Sequence, residues 1–207
     1  MRKNKLIALF VCALAAAGSA AARDGVDVGQ PSAVRKLVPA EGLERQATQE
    51  FSQLKQQAAA KKTLAPDDHP QTRRLRQIAA RIIPHAARFN SRAQQWQWEV
   101  ILIGGQQVNA FCMPGGKIAV FSGLLLGLQL TDDEAAVVMG HEIAHALMRH
   151  GAQRMARGKL EQIGQMAGAA GGMDAGTMQT VMSAYGVTSA LPYARSHETQ
   201  ADEVGLM

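Results

Sequence analysis

Apolar residues recur every three to four positions over Glu41–Leu64, where Leu43, Ala47, Phe51, Leu54 and Ala58 form one stripe among Gln, Lys and Glu. That period is one face of an amphipathic helix, and its ordinary use is packing against the rest of a domain. Ala65–Pro70 interrupts the stripe. It resumes over Gln71–Phe89 through Leu75, Ile78, Ile82 and Ile83, with Pro84 placed to kink or end the helix. The period then changes to two. Trp96–Ile103 alternates and is rich in β-formers, Gly104-Gly105 punctuates it, and Val108–Met113 predicts a second strand. Pro114-Gly115-Gly116 is a turn and Lys117–Phe121 a third strand, with a short helix after Ser122.

Thr131 opens the next helix. Thr131 and Glu134 make an S/T-x-x-E capping box, and Asp132, Asp133 and Glu134 place negative charge at the positive helix end. This helix is expected to run to about His150, where Gly151 can end or bend it. Gly164 to Ala190 is rich in Gly, Ala and Met. Gly164, Gly168 and Gly172, four apart, suit close helix packing or a flexible hairpin. Pro192 precedes a last helical stretch starting near Arg195. The fold class expected is α+β, mainly helical with a small three-stranded sheet.

Composition adds the setting. With 207 residues, 47% hydrophobic and 19% charged, the chain suits one globular domain with a true core. Arg2, Lys3 and Lys5 precede an apolar run from Leu6 to Ala17 and the small residues Gly18 to Ala22, the order of a secretory signal. The expected organisation is a signal peptide over 1–22, a linker over 23–40 and one domain over 41–207. Lipid anchoring at Cys12 is not expected, because Val11 is bulky where such a signal needs a small residue. Removing the three leader cations lowers the formal net charge from +5 to +2, and no basic stripe is interleaved with aromatics, so nucleic acid is not an expected partner. Cys112 is then the one remaining thiol, which excludes a disulfide framework and reads as a small buried hydrophobe. Ile118–Leu130 is too short to span a bilayer, so the processed protein is not expected to be an integral membrane protein.

The candidate chemistry sits in the capped helix. His141-Glu142-Ile143-Ala144-His145 is H-E-x-x-H, which puts two imidazoles on one helix face with a carboxylate beside them. Shuffling this composition gives the pattern roughly 0.007 times per chain, so chance is a poor explanation. A catalytic zinc takes three protein ligands, and Glu142 is suited to act as the general base. Glu198 and Asp202, four apart, would by themselves be surface charges. Beside an H-E-x-x-H that lacks a third ligand, Glu198 can complete the set and Asp202 can accept the N–H of a ligand histidine. The oxyanion-stabilising group is open. Arg195, His150 and His197 have suitable chemistry, but His150 falls about 180° from His141 on an ideal helix and His197 is adjacent to Glu198, so both histidines read as bystanders.

Asn109-Ala110-Phe111-x-x-Pro114-Gly115-Gly116-x-Ile118, His141-Glu142-x-x-His145 and Arg195-x-x-Glu198-x-x-Ala201-Asp202 together resemble the HtpX-like and CAAX-prenyl-protease-like zinc metallopeptidases, in their soluble periplasmic BepA/LoiP-type branch. The resemblance implies a zincin-type (gluzincin) domain with one zinc per chain, Glu198 as third ligand and Asp202 behind a histidine. It also implies that the strand at Asn109, Ala110 and Phe111 binds substrate. The implied function is periplasmic hydrolysis of unfolded or misassembled envelope proteins, with the outer-membrane assembly machinery as a neighbour. Ala194 and Gln200 depart from the family's usual Ser and acidic residue. Family members continue with further helices, whereas nine residues follow Glu198, so the domain is expected to be short at that end. The alternatives are a zinc-holding, chaperone-like binder that grips clients without cutting, and a peptidase covered by its own Gly164–Ala190 segment.

Overall fold

The computed structural model describes residues 36–185 and 191–207. The expected signal peptide and most of the linker lie outside them.

Helix α1 (Ala40–Ala60) buries Ala47, Phe51 and Ala58, three members of the expected stripe. Helix α2 (Pro70–Ile82) starts on a proline, whose missing N–H is one of the donors a first turn leaves unpaired anyway. Pro84 acts as the composition indicates: α2 stops at Ile82 and a 3-10 segment, Ile83–Arg88, follows. The three strands are β1 (Glu99–Ile103), β2 (Ala110–Met113) and β3 (Lys117–Phe121), in spatial order β1-β3-β2. Strand β1 runs parallel to β3 from Glu99↔Lys117 to Ile103↔Phe121, and β2 runs antiparallel to it from Ala110↔Val120 to Met113↔Lys117. The tight β2–β3 turn needs glycine at Gly116, where φ is +77° and a Cβ would sit 2.7 Å from the Trp98 ring.

The sheet is covered on both faces. Val100, Leu102, Ile118 and Val120 pack with Leu75, Ile78, Met139 and Ile143 of the helical layer. Ile101, Ile103 and Ala119 pack on Phe51 and Ala58 of α1. That is why β1 ends in an unbroken apolar run, Val100 to Ile103, and not in the alternation of a half-exposed strand. Helix α1 is further held by Glu44, whose Oε2 accepts from Arg92 Nη2 at 2.8 Å and whose Oε1 accepts from Arg92 Nε at 2.9 Å and Trp96 Nε1 at 3.1 Å. The Arg92 hydrogen bond holds the Glu44 carboxyl below the usual carboxylate range.

Helix α3 (Ser122–Gly127) leads to α4 (Asp132–Leu147), where the capping box forms as expected. Thr131 Oγ1 accepts from Glu134 N at 3.3 Å and Glu134 Oε2 accepts from Thr131 N at 2.8 Å. The end of α4 departs from expectation. It stops at Leu147, and the chain turns at Arg149, not Gly151, with Arg149 in the left-handed region at φ 59°. Arg149 Nη2 donates to Val38 O at 2.5 Å, a contact spanning 111 positions. A new helix, α5 (His150–Ala170), begins there and is followed by α6 (Ala175–Tyr185). Of the three spaced glycines, Gly168 alone is at close contact, where a Cβ would sit 2.7 Å from Met178 Cε; Gly172 supplies the turn at φ +82°. Helix α7 (Leu191–Gly205) starts four residues before Arg195 and takes in Pro192. Among the described residues no helix is long and apolar enough to cross a membrane.

Candidate metal centre

Two helices distant in sequence make the site. α4 supplies His141, Glu142 and His145, and α7 supplies Glu198 and Asp202. They approach to backbone contact at a pair of glycines. A Cβ on Gly140 would lie 2.5 Å from Gly205 O, and one on Gly205 would lie 2.7 Å from His141 N. Only hydrogen side chains permit that crossing, and it sets the carboxylates of α7 over the histidines of α4. Gly140→Ala is expected to cost about 1–3 kcal/mol by overpacking and to weaken metal binding in the same protein, measured by denaturant unfolding and zinc titration. Unchanged values for both would mean that the crossing relaxes without consequence.

His141 Nε2 and His145 Nε2 lie 3.0 Å apart, and Glu198 Oε2 lies 3.5 Å and 3.4 Å from them respectively. Donors bonded tetrahedrally to zinc at ~2.0–2.1 Å stand about 3.3–3.4 Å from one another. The three atoms therefore fit the edges of one face around such an ion, and two imidazoles with one carboxylate are a zinc-type donor set. These are also the group among the described residues whose ligand atoms converge within 4.8 Å. His141 Nδ1 lies 2.8 Å from Asp202 Oδ1, which makes Nδ1 the protonated nitrogen and leaves Nε2 free to bind. Glu142 is half-buried beside these groups. Burial raises its pKa; His141 opposes that and Glu198 adds to it. A carboxylate so raised accepts a proton more readily.

Strand β2 passes the same place. Burial and the Glu142 carboxylate both push the Cys112 thiol up, and Cys112 Sγ donates to Met113 O at 3.6 Å. Cys112 is half-buried, more open than the buried hydrophobe expected. Ala110 and Phe111 lie in β2; Asn109 precedes it and accepts from Phe121 N at 3.0 Å. A cavity of about 170 Å³ opens beside His145, walled by Leu43, Trp96, Met113, Pro114 and Arg154. A larger one of about 450 Å³ lies on another side of α4, among Ile78, Phe89, Val137 and Leu206, and none of the five polar site residues lines it.

The ideal-helix angle that set His150 about 180° from His141 does not apply, because the helix breaks at Arg149. Starting a new helix re-aims His150 so that its Nδ1 lies 2.8 Å from His145 Nδ1 and its Nε2 2.9 Å from Gln200 Oε1. His150 is fully buried, and His197, 3% exposed, stacks on it with ring centroids 4.2 Å apart. Gln153 ties this layer together. Its Oε1 accepts from Tyr193 Oη at 3.0 Å and lies 3.2 Å from His197 Nε2, and its Nε2 donates to Met148 O at 2.8 Å, a carbonyl at the end of α4. Burial lowers the pKa of both His150 and His197 to about 4. His150 lies against His145 Nδ1, the nitrogen opposite the one that faces His141 and Glu198, and His197 stacks on it, while Arg195 is exposed on α7. The sequence signal for His150 was its place five after His145, readable only with knowledge of the break.

Peptidase family M48 matches the chain over residues 69–207, from the start of α2 through α7. The mitochondrial metalloendopeptidase OMA1 of Arabidopsis thaliana is 38% identical over 123 residues, 59% of this chain and 24% of its own length. That of Schizosaccharomyces pombe is 33% identical over 144 residues, 70% of this chain and 40% of its own. Metalloprotease LoiP of Escherichia coli is 35% identical over 95 residues, 46% of this chain and 34% of its own. The chain thus spans less than half the length of each of these relatives.

Proposed function

This chain belongs to peptidase family M48, and from that membership we propose that it is a zinc-dependent endopeptidase acting on unfolded or misassembled envelope proteins. The observation that carries the proposal is the convergence of His141 Nε2, His145 Nε2 and Glu198 Oε2, with Glu142 beside them on α4. Zinc held by these three atoms supplies Lewis acidity toward the scissile carbonyl and the attacking water. Glu142 takes the proton from that water on its carboxylate and delivers it to the leaving nitrogen. Asp202 keeps the His141 ring oriented through Nδ1. β2 is an edge of the sheet, so an extended substrate segment can add to it through main-chain hydrogen bonds along Asn109, Ala110 and Phe111. Recognition of that kind needs a locally unfolded substrate and tolerates many sequences. The mainly apolar cavity beside His145 is placed to take one substrate side chain.

A periplasmic location is supported by the basic, apolar and small-residue order of residues 1–22. In that setting the outer-membrane assembly machinery is a fitting neighbour. A non-cleaving client binder is the second reading, favoured by the apolar side chains that α5 and α6 leave exposed at Ile163, Met166 and Val181. Casein incubated with the purified chain separates the two. The peptidase reading expects cleavage that a zinc chelator abolishes and added zinc restores. A zinc-loaded chain that binds casein and leaves it intact supports the binder.

A further inference from the structure

The proposed zinc histidines are supported unequally from behind. His141 rests on the anionic Asp202, whereas His145 rests on another histidine and, through it, on an amide. The order of protons in this second arrangement is fixed by elementary hydrogen-bond accounting. If His145 binds through Nε2, its Nδ1 must carry the hydrogen and be the donor. The atom 2.8 Å away, His150 Nδ1, must then be a bare acceptor, so the His150 hydrogen resides on Nε2. That nitrogen faces Gln200 Oε1 at 2.9 Å, which can only accept. Each link thus requires the next, with no proton to spare and none missing.

We propose that His150 and Gln200 are positioning residues for His145, forming a chain of neutral hydrogen bonds that selects the His145 tautomer and fixes the orientation of its ring. Three features hold the chain in place. His150 is inaccessible to solvent, so water does not substitute as the acceptor. Its ring is stacked on His197 at an interplanar angle of 10°, which restrains rotation, and His197 is in turn held by Gln153. Gln200 lies between Glu198 and Asp202 on α7, so the one docking of α7 brings the third ligand, the acceptor for His141 and the end of the His145 chain together. The left-handed turn at Arg149 is what presents His150 to His145 at all.

This inference rests on the proposed metal-binding role of His145, and its test separates the two. Histidine-ring ¹⁵N–¹H correlation spectra of the zinc-loaded full chain are expected to show His141 and His145 protonated on Nδ1, and His150 protonated on Nε2 with Nδ1 bare. Zinc uptake with His150 protonated on Nδ1 overturns the inference alone; a wild-type chain that takes up no zinc overturns the proposed function and the inference with it. In variants, His150→Phe keeps the stacking on His197 but removes the acceptor, and is expected to weaken zinc binding by about 10–100-fold and to shift the visible spectrum of the cobalt-substituted protein. His150→Asn, whose Oδ1 can stand where Nδ1 stood, is expected to recover most of the affinity and the wild-type spectrum. Folding of both variants is followed by circular dichroism. Wild-type affinity and spectrum in a folded His150→Phe, or no recovery in a folded His150→Asn, overturns the inference; if neither variant folds, the tautomers in the wild-type spectrum decide.

Discussion

Glu142→Gln is expected to lower hydrolysis of an unfolded protein by roughly 10²–10⁴-fold while zinc content and fold stay at wild-type levels. Glu142 follows His141 on α4, and one helical step of about 100° turns it away from the line joining the two histidines. Its carboxylate is absent from the group of converging donor atoms, so removing its charge should not release the metal. The amide matches the carboxylate in shape and still hydrogen-bonds, but it does not accept a proton from water. Unfolded client should bind the variant and remain bound longer, since it is no longer cut. Cleavage is followed with a fluorescently labelled casein, zinc by elemental analysis, and client binding by anisotropy. Equal cleavage by wild type and variant would remove Glu142 from the role of base.

Glu198→Ala is expected to weaken zinc binding by more than the ~10–100-fold typical of losing a partner behind a ligand. Its Oε2 is equidistant from the two Nε2 atoms to within 0.1 Å, at 3.4 and 3.5 Å, and no other carboxylate joins the group of converging atoms among the described residues. The side chain is 59% exposed, so its truncation leaves the core intact and the loss should appear without unfolding. His141→Ala should behave alike, whereas Asp202→Asn should fall within the smaller range, because it acts through the His141 ring. Competition with a chromogenic chelator ranks the three. If Glu198→Ala holds zinc as tightly as wild type, its carboxylate is not a ligand.

Local chemistry is what the sequence made readable. The Thr131–Glu134 box, the spacing of His141 and His145 and the turn at Gly115-Gly116 each depend on residues within a few positions, and each appears as the residues suggested. The proximity of Glu198 and Asp202 to His141 was legible for another reason, since a two-histidine site is incomplete and their spacing could complete it. The end of α4 was not legible. Gly151 is the better turn former, yet the chain turns at Arg149, whose guanidinium is tied to Val38, 111 positions earlier in the sequence. A left-handed arginine is uncommon and is held here by tertiary contacts that no local window contains. Because that turn decides where His150 points, the layer behind His145 was hidden with it.

The division of the site between α4 and α7 also governs when the protein is armed. Glu198 follows His145 by 53 positions, and the loop between them must close before three donors face one another. With α7 undocked, α4 offers only two imidazoles and a carboxylate that has nothing to act on. Under the function proposed above, a copy of the chain whose α7 is undocked lacks the third ligand and, with it, the means of hydrolysis. Were its targets the unfolded chains proposed above, that dependence would be a safeguard against itself: a copy that becomes a target has already ceased to be a blade.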